Sequence, residues 1–185
     1  MGEFREIGEG SRSEIFQELC FCILTANFSA ERAIEIQKEV GEGFLTLPES
    51  ELAGRLRELG HRFAEARAKY IVEARRHGDS LKEIIRSFPS QGEVRKWLAE
   101  NVKGFGYKEA SHFLRNIGST DLAILDFHII DLLARYGLIE KPKTLTEKRY
   151  LEIEELLREI AKRSRLNLAE LDLYLWYIET GKVLK

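Results

Sequence analysis

The chain has 185 residues, enough for one domain or two small lobes sharing a cleft. Hydrophobic residues make up 44% and charged residues 32%, so a packed core is affordable and disorder is not indicated. A net charge of −2, from 29 basic and 31 acidic residues, argues against a polycation that coats nucleic acid through bulk charge.

The first strong element runs from Glu14 to Thr25, with apolar residues so dense that the helix reads as buried on most sides. Cys20 and Cys22 lie within it, about 200° apart around a helix, and read as buried structural thiols. Two cysteines cannot hold an iron–sulfur cluster. No histidine pair has metal-ligand spacing, so no metal site is expected. Asn27-Phe28-Ser29 breaks the chain, and Ser29 is placed to cap a second helix that ends near Gly41 and Gly43. Pro48-Glu49-Ser50 opens the next, with Leu52, Leu56 and Leu59 on one face. Gly60-His61-Arg62 interrupts it, and a basic helix follows from Phe63 to Arg76. Shorter helices follow over 81–88 and 93–101.

Val102 to Lys108 then forms a hairpin between two helices, the second running to about Ile117. Gly104 and Gly106 let the backbone turn tightly and approach another molecule. Amides at the start of the second helix point outward with its dipole behind them, which suits a phosphate without any lysine excess. Lys108 is slightly misplaced against that dipole as a mere surface charge. The same dipole favours its neutral, nucleophilic amine. After a turn at 118–121 and an apolar approach at 122–125, Asp126 is set to cap a helix over 127–136. A carboxylate there stays ionised easily and would stabilise positive charge developing on a sugar. Two closing helices cover 147–164 and 168–179. No strand pattern and no apolar run of membrane-spanning length stands out, and no signal peptide opens the chain. The expected fold class is all-α, and the expected location cytoplasmic.

Lys108 and Asp126, eighteen residues apart on a helix-hairpin-helix and the following cap, resemble the helix-hairpin-helix DNA glycosylase superfamily. The stretch from Gly104 to Asn116 is similar to the 8-oxoguanine glycosylase/lyase family of archaea and thermophilic bacteria. So are Glu18 to Asn27 and the ending from Leu171 through Trp176 and Tyr177 to Lys185. The resemblance implies one two-lobed unit over 1–185, with the helix-hairpin-helix at about 93–117 and a cleft between the lobes. It implies Lys108 and Asp126 as the catalytic pair. It puts Trp176, Phe63 and Lys185 at the base pocket, the terminal carboxylate of Lys185 accepting hydrogen bonds from the guanine edge. It puts Asn27 in the vacated base stack and Arg32 near the estranged cytosine, while His128 reads as structural or as a phosphate neighbour rather than a proton carrier. Arg62, Arg67 and Lys69 would add basic contacts. The implied partner is double-stranded DNA containing 8-oxoguanine, bound by a monomer with no cofactor, and the resemblance admits a monovalent cation at the hairpin. The alternatives are a glycosylase for oxidised pyrimidines and a helix-hairpin-helix module that grips DNA without chemistry. The residue that reads N7 of the lesion is not nameable from the sequence.

Overall fold

A computed structural model describes residues 1–183 and 185. Among them every regular element is helical: α1 (Gly2–Glu9), α2 (Arg12–Thr25), α3 (Ala30–Val40), α4 (Gly43–Thr46), α5 (Glu49–Glu58), α6 (Ala64–Ala74), α7 (Leu81–Ser87), α8 (Gln91–Asn101), α9 (Tyr107–Asn116), α10 (Phe127–Arg135), α11 (Glu147–Ser164) and α12 (Leu168–Thr180). A 3-10 turn, Arg75–His77, extends α6. α1 and the single turn α4 are elements that the sequence reading did not name, and α4 is too short to show one apolar face.

Local chemistry fixes the helix starts. Ser11 and Glu14 form a reciprocal capping box on α2, as do Asn167 and Glu170 on α12. Ser29, Ser90 and Thr146 each accept from the third backbone N–H of the helix they open. α2 is buried along Ile15–Leu24 apart from Gln17, which explains its lack of a polar face.

The buried side chains form two apolar clusters. The larger is built around α2, with inward faces from α3 to α9. The smaller joins Ala123 and Leu125 to α10, α11 and α12. The chain passes from one cluster to the other between Leu122 and Ala123, and residues from both sides of this passage line one cleft. A buried network crosses the same junction. Arg95 of α8 forms a bidentate pair with Glu154 of α11 at 2.5 and 3.0 Å. Glu154 also accepts from the Ala123 N–H at 2.8 Å, and the Tyr150 hydroxyl donates to the Ala123 carbonyl at 2.7 Å. Residues 122–125 carry no helix of their own, so these bonds satisfy a buried extended backbone and hold it against α8 and α11.

Candidate active site

The hairpin between α8 and α9 leads into the cleft-lining face of α9. Gly104 sits at φ +87, and a Cβ there would meet the Tyr70 ring at 2.6 Å, so glycine is required twice over. The Gly106 N–H donates to the Glu109 carboxylate at 3.1 Å, which closes the first turn of α9. Lys108 follows within that turn, with Glu109 3.6 Å from its ammonium. Glu109 is a charge partner that the sequence reading did not single out.

α9 presents Lys108, His112 and Arg115 to one cleft of about 940 Å³. Their spacing of four and then three residues puts them on one helical face, spanning about 10 Å from mouth to floor. α12 answers with Asp172, Trp176 and Thr180, again one face. Asp126, Phe127 and His128 at the start of α10 form a third side, and Asn27, Phe28 and Ser29 a fourth. Arg62, Lys182 and Lys185 also line it.

Asp126 caps α10 by accepting the Ile129 N–H at 2.9 Å. Its pKa is nonetheless raised: burial outweighs the cap and the nearby Lys108, both of which pull it down. The expectation that the helix start alone would keep this carboxylate easily ionised is corrected accordingly. Burial likewise drives the His112 imidazole well below its ordinary value, with Arg115 and Lys108 adding to the effect, so it is neutral. Asp172 is pushed up to about 6 by burial, against the pull of Arg115. Trp176 meets His128 edge-on at 5.0 Å, and its indole N–H has no partner among the described residues.

Lys185 reaches the far wall. Its ammonium donates to Glu18 at 2.8 Å and to Gln37 at 2.6 Å and lies over the Phe21 ring.

Other expected site residues lie elsewhere. Phe63 is not part of the cleft lining; its ring lies under the Arg62 guanidinium, 4.6 Å away, just before α6. Phe28 does line the cleft. Arg32 also lies outside the lining and donates to the Leu59 carbonyl at 3.2 Å. Arg67 is no surface contact: it is buried and donates to the Ala26 carbonyl at 2.6 Å. Arg62 donates to the Asn27 carbonyl, and His61 Nε2 bonds the Leu24 carbonyl at 3.1 Å. These three residues satisfy orphan carbonyls at the end of α2. They also hold Asn27, exposed and at φ +57, in a conformation that asparagine tolerates better than most residues. Lys69 is exposed. Among the described residues no three His, Cys, Asp or Glu side chains converge as metal ligands.

Comparison with known proteins decides the family. Residues 1–166 match the family model described as 8-oxoguanine DNA glycosylase. The chain belongs to that family. An 8-oxoguanine DNA glycosylase/AP lyase of Korarchaeum cryptofilum is 58% identical, over all of this chain and 88% of that protein. The Methanocaldococcus jannaschii protein of the same description is 55% identical, over 99% of this chain and 88% of that one. Its crystal structure in complex with a 15mer DNA containing 8-oxoguanine superposes with a TM-score of 0.97 at 55% identity, covering all of this chain and 89% of that one. The Thermotoga maritima 8-oxoguanine DNA glycosylase gives 0.94 at 50% identity, over all of this chain and 88% of that one. The all-helical architecture is thus that of the 8-oxoguanine DNA glycosylases. No helix among the described residues is long and apolar enough to cross a membrane.

Proposed function

We propose that this glycosylase-family chain excises 8-oxoguanine from duplex DNA and then nicks the abasic strand, with Lys108 as nucleophile and Asp126 as its electrostatic partner. One observation carries the reading: Lys108 from α9 and Asp126 from α10 line the same cleft as the aromatic face of Trp176. A damaged nucleotide swung out of the stack would enter there. The hairpin amides around Gly104 and Gly106 take a phosphate, Asn27 enters the gap left in the stack, and His128 supports the backbone beside it. Trp176 offers its face to the base, with Phe63 or the cleft-lining Phe28 as the opposite face.

The Lys108 amine attacks the anomeric carbon as the glycosidic bond breaks, and the base departs with the bonding electron pair. Asp126 stabilises the positive charge on the sugar. Loss of the ring oxygen's bond gives a Schiff base with Lys108. Removal of a 2′ proton then expels the 3′ phosphate by β-elimination. The chemistry needs no cofactor; hairpin carbonyls offer a place for a monovalent cation. The setting this implies is a cytoplasmic monomer acting on double-stranded DNA.

Borohydride reduction on a duplex with a single 8-oxoguanine tests the assignment. Wild type is expected to give a covalent protein–DNA adduct and Lys108→Gln none. An adduct that survives in Lys108→Gln would move the nucleophile elsewhere. No adduct and no base release by wild type would leave a binding module.

A further inference from the structure

Behind the cleft wall made by Asn27 and Phe28 lies a buried histidine that the proposed chemistry does not use. The His61 ring is 2% exposed and lies against the Phe28 ring at 4.1 Å, tilted by 31°. Its two nitrogens do different things. The Leu24 carbonyl can only accept, so Nε2, 3.1 Å away, donates to it. The Phe63 backbone N–H can only donate, so Nδ1, 3.2 Å away, accepts. Only the neutral ring protonated at Nε2 makes both bonds, and the Phe63 bond thereby selects the tautomer that serves Leu24. Burial lowers the pKa of His61, with Arg67 and Arg62 adding to the effect against the pull of the Leu24 carbonyl.

The contacts of this ring fall on both sides of Asn27. Leu24 lies in the last turn of α2, and Phe28 follows Asn27 directly. Asn27 itself is exposed and holds a left-handed φ of +57, a conformation with a steric cost for any residue that carries a side chain. Arg67 and Arg62 hold the Ala26 and Asn27 carbonyls. Arg62 is exposed and can trade its carbonyl for a DNA phosphate. His61 is sealed from solvent and cannot.

We propose that His61 is a positioning residue for nucleotide extrusion: its ring brackets Asn27, gripping the Leu24 carbonyl on one side and the Phe28 ring on the other, so that the Asn27 side chain enters the vacated stack in a fixed direction. The inference rests on the base-excision reading and adds to it the residue that prepares its first step. A turn held in advance does not lose conformational freedom on meeting DNA, whereas a loose one would. His61 keeps the turn in shape while Arg62 changes partners.

The test separates extrusion from chemistry. A 2-aminopurine beside a single 8-oxoguanine brightens as the stack opens, and stopped flow gives the rate. Enzyme is counted by borohydride trapping on a pre-formed abasic site, so only folded, active protein enters the comparison. His61→Gln keeps a donor for the Leu24 carbonyl and loses the ring beside Phe28. His61→Phe keeps the ring and loses the bond. His61→Gln leaves the buried carbonyl paired should His61→Phe fold poorly. Each variant is expected to slow stack opening and 8-oxoguanine release together by about tenfold, as loss of a positioning contact can. Nicking of the abasic site is expected to stay within about twofold of wild type, because no base has to leave the stack. Asn27→Ala is expected to be slow as well, and adding His61→Gln to it should slow opening no further, since residues that act as a unit do not add. A wild-type opening rate in either His61 variant overturns the proposal. So does an equal loss in abasic nicking, or the full loss from His61→Gln in the Asn27→Ala background. A wild type that opens no stack and forms no adduct overturns the base-excision reading itself, and the proposal with it.

Discussion

Two buried arginine–carboxylate pairs tie the larger helical cluster to the smaller one, and they are built differently. Arg95–Glu154 is bidentate, with distances of 2.5 and 3.0 Å, and Glu154 takes a backbone N–H as well. The guanidinium also lies over the rings of Tyr107 and Tyr150, with only Nε unpartnered. Arg115–Asp172 is just as deep on the arginine side but stays open at 3.7 Å. The first pair lies away from the cleft and the second lines it. Polar groups completed by the protein itself hold the fold, and the open pair has less to lose when one partner is removed.

The largest expected effect falls on the completed pair. Glu154→Gln leaves Arg95 buried without its counter-charge and weakens the hold on Ala123, and is expected to cost about 3–5 kcal/mol of unfolding free energy. Chemical denaturation of the two proteins measures it. A loss under about 1 kcal/mol would show that the network does not organise the junction, and the contrast between the pairs would collapse.

Asp172→Asn is expected to cost less than half as much in the same measurement, because no hydrogen bond is broken. The pH dependence sharpens this. The folded-state pKa of Asp172, about 6, lies above the ordinary 3.8, so the folded chain takes up this proton first. The stability that comes with the neutral carboxyl is therefore fully present below about 3.8 and is lost as pH rises through about 6. Arg115, Asp126 and Lys108 are the charged groups that face it. Between pH 4 and 7, the difference in stability between wild type and Asp172→Asn is expected to fall as pH rises. A flat difference would show that Asp172 is not held in a desolvated site.

Much of this molecule is legible in its sequence, for physical reasons that also set the limit. The long helices announce themselves by period and cap: Ser29 and Asp126 start α3 and α10 as local chemistry requires. Gly104, Gly106 and Lys108 are read together because a hairpin is a local object. Arg67 misleads because an arginine on a helix looks the same whether it meets solvent or reaches a buried carbonyl. Lys108, His112 and Arg115 do share a stripe, as do Asp172 and Trp176, but a stripe on one helix does not say which other helix it faces. The facing of α9 and α12, and so the meeting of Arg115 with Asp172, is created only when the chain passes from one cluster to the other.

The smallest expected effect comes from a pair that geometry alone would rank beside the first. Arg12 and Glu83 approach to 2.9 Å, closer than one of the two Arg95 contacts, yet both side chains are more than half exposed. Water solvates each partner when the other is removed, and ordering two long side chains offsets the attraction. Arg12→Gln is therefore expected to change stability by no more than about 0.5 kcal/mol, and any change should shrink in high salt. Thermal unfolding at low and high ionic strength, run beside Glu154→Gln, measures both. A loss from Arg12→Gln matching that from Glu154→Gln would mean that contact distance governs these pairs. The distinction between completed and incomplete burial would then lose its force.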